Sequence, residues 1–130
     1  MISPYDILTS SGKYPDRPLF SNKEIRENAS ELSRRVSVLM QDYIKLCVSS
    51  GFRTLEANQA AGGAKSSNHL KGLAVDIHDL GHYLLRDYEQ KKEESLLVKH
   101  DLYLEHPDHT RTWTHLQITP PRSGNRVFVP

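Results

Sequence analysis

The stretch SSNHLKGLAVDIH, residues 66–78, decides how this sequence folds. Residues 72–77 are apolar enough to form a buried strand, yet Asp76 lies near the end of that strand and His69 precedes it. Alternate side chains of a strand share a face, so Asp76 lies on the face of Ala74, whose small side chain leaves space above the sheet. A buried carboxylate without a partner costs several kcal/mol. The rest of the chain must therefore supply a cationic partner for Asp76.

A later predicted strand supplies that partner. Trp113, His115 and Gln117 share one of its faces. If the two strands are neighbours, His115 approaches Asp76, and His69 reaches both residues from the turn before its strand. Two imidazoles and one carboxylate that leave a position open form the ligand pattern of catalytic zinc. We therefore expect these three residues to bind Zn²⁺, which would neutralise the buried carboxylate.

The composition is typical of one globular domain without a strong electrostatic field. The chain has 130 residues, of which 37% are hydrophobic and 25% charged, and its net charge is +1. The small net charge predicts no nucleic-acid partner and no membrane partner, and we expect the protein to be a monomer. We find no apolar run of membrane-spanning length and no signal-peptide core, so we expect a cytoplasmic location at synthesis. The single cysteine, Cys47, excludes an internal disulfide and indicates a reducing compartment.

The order of the predicted elements favours an α+β fold with an antiparallel sheet. Residues 1–20 contain three prolines and predict an irregular arm. Ser21 and Glu24 have the spacing of a capping box at the start of a long amphipathic helix, which Gly51 ends. The apolar stripe of this helix comprises Ile25, Ala29, Leu32, Val36, Leu39, Tyr43 and Cys47. After it we expect a strand-like piece at 52–54, a loop at 55–65, a charged helix within 80–97, and strands at 72–78, 102–105, 113–118 and the C-terminal end. A helix first and short strands later, without a βαβ rhythm, are typical of the α+β class.

Several of these residues stand at fixed spacing. The string is Ser67-x-His69-x-x-Gly72-x-Ala74-x-Asp76, followed by Trp113-x-His115, with SGFRT at 50–54 and GGA at 62–64 upstream. Over about residues 49–118 it resembles the M15 family of zinc peptidases. That family includes D-Ala-D-Ala carboxypeptidases, dipeptidases and phage endolysins that cut L-alanyl-D-glutamate bonds in peptidoglycan, and the hedgehog signalling domain shares its fold.

The resemblance implies one zinc metallopeptidase domain over residues 1–130, with a long N-terminal helix packed on a small antiparallel sheet. Its substrates would be peptidoglycan stem peptides, and its role that of a phage-type endolysin released to degrade the cell wall. Arg53 and Ser67 would hold the carboxylate or carbonyl of the substrate, since the planar fork of an arginine binds a carboxylate through two charge-assisted hydrogen bonds. Carboxypeptidase and endopeptidase activity both remain open.

The general base is the position at which this chain departs from the family pattern. Many members carry a carboxylate three residues before the last histidine, where this chain has Thr112. Others carry a second histidine two residues before it, where this chain has Trp113. Glu105, which ends the predicted strand LYLE, is similar to the base in the hedgehog-like arrangement, and we expect it to carry the proton. Asp108 is the alternative in the same hairpin, followed by the two neighbouring histidines.

A second function from another class stays open. The missing carboxylate at position 112 favours a zinc-binding structural or interaction module that has lost hydrolysis. Arg53 and Ser67 favour an enzyme, because a structural zinc gains nothing from them. A fold without metal is a third interpretation, but it leaves Asp76 without a partner. The sequence contains no HExxH and no glycine-rich phosphate loop, which excludes the helical zincin arrangement and the phosphate-loop enzymes.

Overall fold

One long helix and a five-stranded sheet form the fold. The computed structural model describes residues 22–40, 48–51, 59–60, 62, 67–79, 81–109 and 113–129. The helices are α1 Lys23–Met40, α2 Tyr83–Lys91 and α3 Leu96–Lys99, with 3₁₀ turns at Asn68–Lys71, Lys92–Glu94 and Pro107–His109. The strands are β1 Val48–Ser50, β2 Ala74–His78, β3 Tyr103–Glu105, β4 Trp113–Gln117 and β5 Val127–Phe128.

The strands lie in the order β1-β2-β4-β3-β5. The first three neighbouring pairs are antiparallel, whereas β3 and β5 are parallel. The predicted α+β class is confirmed, but the prediction of an antiparallel sheet is wrong at β5. The chain leaves β4, turns and runs back in the opposite direction, as in a wide hairpin. Because β3 already occupies the place beside β4, β5 pairs with β3 instead, and the sheet is mixed.

The sheet buries one face against α1. Side chains of Ala29, Leu32, Val36 and Leu39 from the predicted helix stripe are fully buried. They form one cluster with sheet residues that alternate along the strands, namely Val75, Ile77, Leu104 and Leu116. An antiparallel ladder that packs one face on a core leaves the alternate residues on the other face. That second face carries Asp76 on β2 and His115 on β4.

Helix α1 differs from the prediction at both ends. Asn22 caps it, because its Oδ1 accepts a hydrogen bond from the backbone N–H of Ile25 at 3.0 Å. Ser21, Tyr43 and Cys47 lie outside the described residues. The prediction that the helix extends to Gly51 is wrong, since residues 48–50 form β1 and pair with β2. Long-range pairing decides this segment, and a helical spacing of apolar residues does not reveal it.

The charged segment within 80–97 forms two helices instead of one. Lys92 has a left-handed backbone (φ +49°), and Ser95 starts α3 by accepting a hydrogen bond from Val98 N–H. The buried carboxylate of Asp87 accepts the N–H of Leu96 at 2.7 Å and fixes the two helices together. The later predicted strands are confirmed to within two residues, and the arm at 1–20 and the piece at 52–54 lie outside the described residues. Within the described part of the chain, no helix combines the length and apolarity needed to cross a bilayer.

The C-terminal strand is fastened by Arg126. Its Nη1 donates to Asp101 Oδ1 at 3.0 Å and to the carbonyl of Leu102 at 3.1 Å, and its guanidinium stacks over the ring of Tyr103 at 4.3 Å. These contacts place β5 against β3 at the sheet edge.

Gly72 allows the turn before β2 to approach α1 closely. Its φ of +72° is left-handed, and a Cβ at this position would lie 3.0 Å from the carbonyl oxygen of Ile25. Its N–H also closes the 3₁₀ turn that carries His69. The glycine of the motif therefore has a structural reason, since a side chain would push the turn away from the helix.

We expect Gly72→Ala to lower the free energy of unfolding by more than the ~1–2 kcal/mol that a left-handed backbone costs a non-glycine residue. The added cost comes from the contact with the α1 backbone. Gly124→Ala is the matched control, because Gly124 has φ +73° but nothing within 4 Å of its Cβ position. Urea unfolding of both variants measures the difference, and equal losses would contradict the close-approach argument.

Candidate metal centre

Three of the predicted site residues meet on the open face of the sheet. Asp76 and His115 are direct partners in the β2–β4 ladder, and His69 lies in the 3₁₀ turn before β2. His115 Nδ1 lies 3.0 Å from Asp76 Oδ1, and His69 Nε2 lies 3.3 Å from the same oxygen. One ligand atom from each residue falls within 4.8 Å of the others. The structure thus brings together the residues that sequence reasoning paired across 39 positions.

Hydrogen bonds hold both the backbone and the ring of His69. Ser67 starts its turn, with Oγ accepting the N–H of His69 at 3.2 Å. The ring is buried, and its Nδ1 donates to the carbonyl oxygen of Gly51 at 2.6 Å. Because a carbonyl can only accept, the proton lies on Nδ1 and the lone pair of the neutral ring lies on Nε2. Nε2 faces Asp76 Oδ1 at 3.3 Å, where it donates a hydrogen bond to the carboxylate when the ring is protonated and offers its lone pair to a metal when the ring is neutral.

His115 has the complementary arrangement. Its Nδ1 points to Asp76, and its Nε2 lies 2.9 Å from Oε1 of Gln117. The ring meets that of His69 edge-on at 5.1 Å between centroids, and it meets the ring of Phe128 edge-on at 6.3 Å. Each histidine therefore turns one nitrogen to the carboxylate and has the other nitrogen bound to an oxygen. This is the outer hydrogen bonding that metal-binding histidines have.

The carboxylate of Asp76 and the imidazole of His115 stabilise each other's charged forms. Burial alone would raise the pKa of Asp76, but hydrogen bonds with His115 and His69 outweigh it and hold the pKa well below its usual range. Burial also disfavours the imidazolium of His115. The hydrogen bond and charge of Asp76 outweigh that effect and raise the His115 pKa, with smaller contributions from Gln117 and Glu105. The site is therefore built for a negative oxygen surrounded by positive charge.

The donor set fits a zinc ion. Two imidazole nitrogens and one carboxylate oxygen are the ligand types that zinc takes in catalytic sites, where a fourth position stays open. The side chains of His69 and Asp76 are 3% and 8% exposed and that of His115 is 14% exposed, so the described part of the chain already shields the group from most solvent. Binding a cation there would release protons from the ligands, which makes metal uptake weaken as the pH falls.

Glu105 lies in the next strand beside His115. Cα partners of β3 and β4 are Tyr103 with Gln117 and Leu104 with Leu116, so Glu105 follows the last pair on the side-chain face of Tyr103 and Gln117. Glu105 is half-buried, and its charge contributes to the raised pKa of His115. Its carboxylate is thus positioned on the metal-centre face without belonging to the ligand cluster.

Asp108 occupies a different environment. Its side chain is 83% exposed, and its backbone N–H donates to Nδ1 of His106 at 3.2 Å, within the 3₁₀ turn that follows β3. The carboxylate lies 3.5 Å from that same nitrogen. Asp108 and His106 therefore form a local turn at the surface, and of the two candidate bases the geometry favours Glu105.

The other predicted site residues divide between the described and undescribed parts of the chain. Arg53 and Thr112 lie outside the described residues, as does the side chain of His109. Ser67 is the capping residue of the His69 turn, and its hydroxyl keeps one hydrogen to donate. His78 follows Asp76 on the same face, is exposed and lies opposite Trp113.

Sequence reasoning missed three contributors to the centre. The carbonyl of Gly51 leaves no side-chain signal. Phe128 reaches His115 through the parallel pairing of β5, which the order of elements did not predict. Gln117 was placed on the face of His115 by the alternation of the strand, but its hydrogen bond to the ring was not inferred. The available sequence signal for this bond was the position of Gln117 two residues after His115, which places both side chains on one face of the strand.

Comparison with known proteins gives one match. A family profile described as Peptidase M15 matches residues 9–116. No curated protein and no solved structure gives a significant match. The matched segment includes His69, Asp76 and His115.

We expect His69→Ala and Asp76→Ala to lose bound metal, whereas His78→Ala, an exposed histidine on the same strand, should keep about one ion per chain. Added zinc at 1,000 times its Kd should stabilise the wild-type fold by about 4 kcal/mol, and this gain should vanish in the two ligand variants. Elemental analysis after dialysis and thermal unfolding with and without zinc measure both effects. Unchanged metal content in the ligand variants would refute the site.

Proposed function

The chain belongs to the peptidase M15 family, and from this premise we propose that it is a zinc-dependent peptidase that hydrolyses peptide bonds in peptidoglycan stem peptides. The family resemblance predicted from the motif string is confirmed at this level, and a metallopeptidase-type function follows from it. One observation carries the finer proposal. The His69–Asp76–His115 cluster lies on the open face of the sheet with Glu105 on the adjacent strand.

We propose that His69 through Nε2, His115 through Nδ1 and Asp76 through its carboxylate hold the zinc. When bound, zinc polarises a substrate carbonyl and lowers the pKa of water. The chain contributes rigidity to this centre. Asp76 and His115 are fixed by ladder pairing, and His69 is fixed by its capped turn and the Gly51 carbonyl. Ligands held in place before substrate arrives lose little conformational entropy during the reaction.

Glu105 is the proposed general base. Its carboxylate removes a proton from the attacking water and returns that proton to the leaving amine. The position supports this role, because a half-buried carboxylate one strand away from His115 faces the same space as the ligands. Asp108, at 83% exposure, faces solvent and is the weaker candidate.

Arg53 and Ser67 are the proposed substrate-holding groups. Stem peptides carry free carboxylates, and an arginine fork binds a carboxylate through two hydrogen bonds. Ser67 has a hydroxyl hydrogen to offer from the turn that carries His69. An endolysin of the phage type, acting as a monomer on the cell wall, is the biological role in this proposal. The alternative is a zinc-binding interaction module of the same fold, which the departure at Thr112 favours.

The decisive experiment replaces Glu105 by glutamine. Glu105→Gln keeps the shape of the side chain and removes its charge, so zinc content should stay near that of the wild type. Hydrolysis of purified muropeptides should fall by roughly 10²–10⁴-fold, which is the usual cost of a lost general acid–base group. Chromatography of the digestion products measures the rate and identifies the bond that is cut.

Asp108→Asn is the matched control in the same hairpin, and it should change the rate only slightly. An inactive Asp108→Asn beside a fully active Glu105→Gln would transfer the base to Asp108. Wild-type protein that holds zinc but cleaves no stem peptide would support the interaction module instead.

Arg53→Ala should lower kcat/KM on muropeptides, chiefly through KM, without loss of zinc, because its proposed partner is the substrate. Arg53→Lys should restore only part of the efficiency, since an ammonium lacks the bidentate fork. Steady-state kinetics paired with metal analysis separates the two effects. Wild-type kinetics in both variants would make Arg53 a structural residue.

A further inference from the structure

Gln117 is a buried amide with both ends engaged. Its side chain lies at the end of β4, and the residue is 4% exposed. The Nε2 group donates to the carbonyl oxygen of Thr119 at 2.7 Å, and Oε1 lies 2.9 Å from Nε2 of His115. None of the roles assigned so far, as ligand, base or substrate-holding group, belongs to this residue.

The bond to Thr119 fixes which way the amide points. A carbonyl oxygen accepts only, so the NH₂ end of Gln117 must face Thr119 and the oxygen end must face His115. Thr119 follows Ile118, whose N–H donates to the carbonyl of Leu73 at 3.1 Å and continues the ladder. The acceptor that Gln117 needs is therefore part of the sheet framework.

An amide oxygen facing Nε2 requires a proton on that nitrogen. In the neutral imidazole the other nitrogen, Nδ1, then carries the lone pair, and Nδ1 is the atom 3.0 Å from Asp76. We infer that Gln117 is a positioning residue that fixes the tautomer and the ring orientation of His115 for metal binding. This inference rests on the proposed function, because it assumes that His115 is a ligand.

The topology of the sheet explains why a side chain, and not a backbone carbonyl, accepts the hydrogen bond from His115. For His69, the hydrogen-bond acceptor that fixes the tautomer is a backbone carbonyl, that of Gly51. β4 lies between β2 and β3 and pairs with both, so ladder bonds occupy its backbone carbonyls. A side chain two residues along the same face is the nearest alternative. Ala74 is the Cα partner of Gln117, and its small side chain leaves room for the amide.

The experiment measures metal affinity directly. Gln117→Leu removes the acceptor at similar size, and Zn²⁺ affinity in a chelator competition should weaken by roughly 10–100-fold, as for other outer partners of metal ligands. Gln117→Glu keeps an acceptor for Nε2–H but loses the donor to the Thr119 carbonyl, so its affinity should fall less than that of Gln117→Leu. Gln90→Leu, the same substitution at an exposed glutamine of α2, is the control and should bind zinc normally.

A second readout reports on the hydrogen bond between His115 and Gln117 directly. In ¹⁵N-labelled, zinc-loaded wild type, the Nε2–H of His115 should exchange with water slowly, because it is bonded to Gln117. The ring N–H of the exposed His78 is the internal reference for fast exchange. In Gln117→Leu the His115 proton should exchange as fast as this reference, and the absorption spectrum of the Co²⁺-substituted protein should change.

The outcomes separate this inference from the proposed function. Wild type and Gln117→Leu that bind zinc equally tightly, or a wild-type His115 proton that exchanges as fast as that of His78, would overturn the positioning role alone. Equal weakening in Gln117→Leu and Gln90→Leu would do the same. Wild-type protein that binds no metal would overturn the metal centre and this inference together.

Discussion

The carboxylate of Asp76 lies between two imidazoles on a strand that is paired on both sides, and the site depends on this charge being neutralised. His69 and His115 reach the same oxygen, Oδ1, at 3.3 and 3.0 Å. An unpaired charge at this depth would oppose folding, so the ligand cluster is also a condition for β2 to lie in the sheet. The strand cannot avoid the problem by shifting its pairing. A slip of one residue would turn Asp76 into the core and Ile77 out of it.

The alternation of strand side chains therefore assigns core packing to one face of the sheet and the metal centre to the other. One face of β2 and β4 packs Val75, Ile77 and Leu116 against α1, while the other holds the charged and hydrogen-bonding groups. Each of the two histidine rings has one nitrogen hydrogen-bonded to an oxygen atom, but the two oxygen atoms come from different kinds of group. The ring of His69 is bonded to a backbone carbonyl at the end of β1, whereas that of His115 is bonded to a side-chain amide. Core packing thus supports the metal centre through the register of two strands.

The parts of this fold that could be predicted are those with a local pattern. Period-two alternation placed Asp76 and His115 on faces that meet, and the spacing around Gly72 indicated the family. The parts that could not be predicted depend on partners distant in sequence. Val48–Ser50 become a strand only because β2 offers an edge, and β5 runs parallel because β3 occupies the place beside β4. Gln117 was visible on the right face, but its orientation depends on the carbonyl of Thr119, which no sequence pattern reports.

The parallel pairing of β5 has a consequence for the order in which the molecule assembles. The ring of Phe128 meets that of His115 edge-on, and β5 pairs with the strand that carries Glu105. A ribosome adds these residues after both histidines and Asp76 have been made. The contacts of β5 can form only after these residues have been made. Until these contacts form, β3 is an unpaired edge of the sheet. The newly made chain can thus bring its ligand cluster together before Phe128 packs against His115.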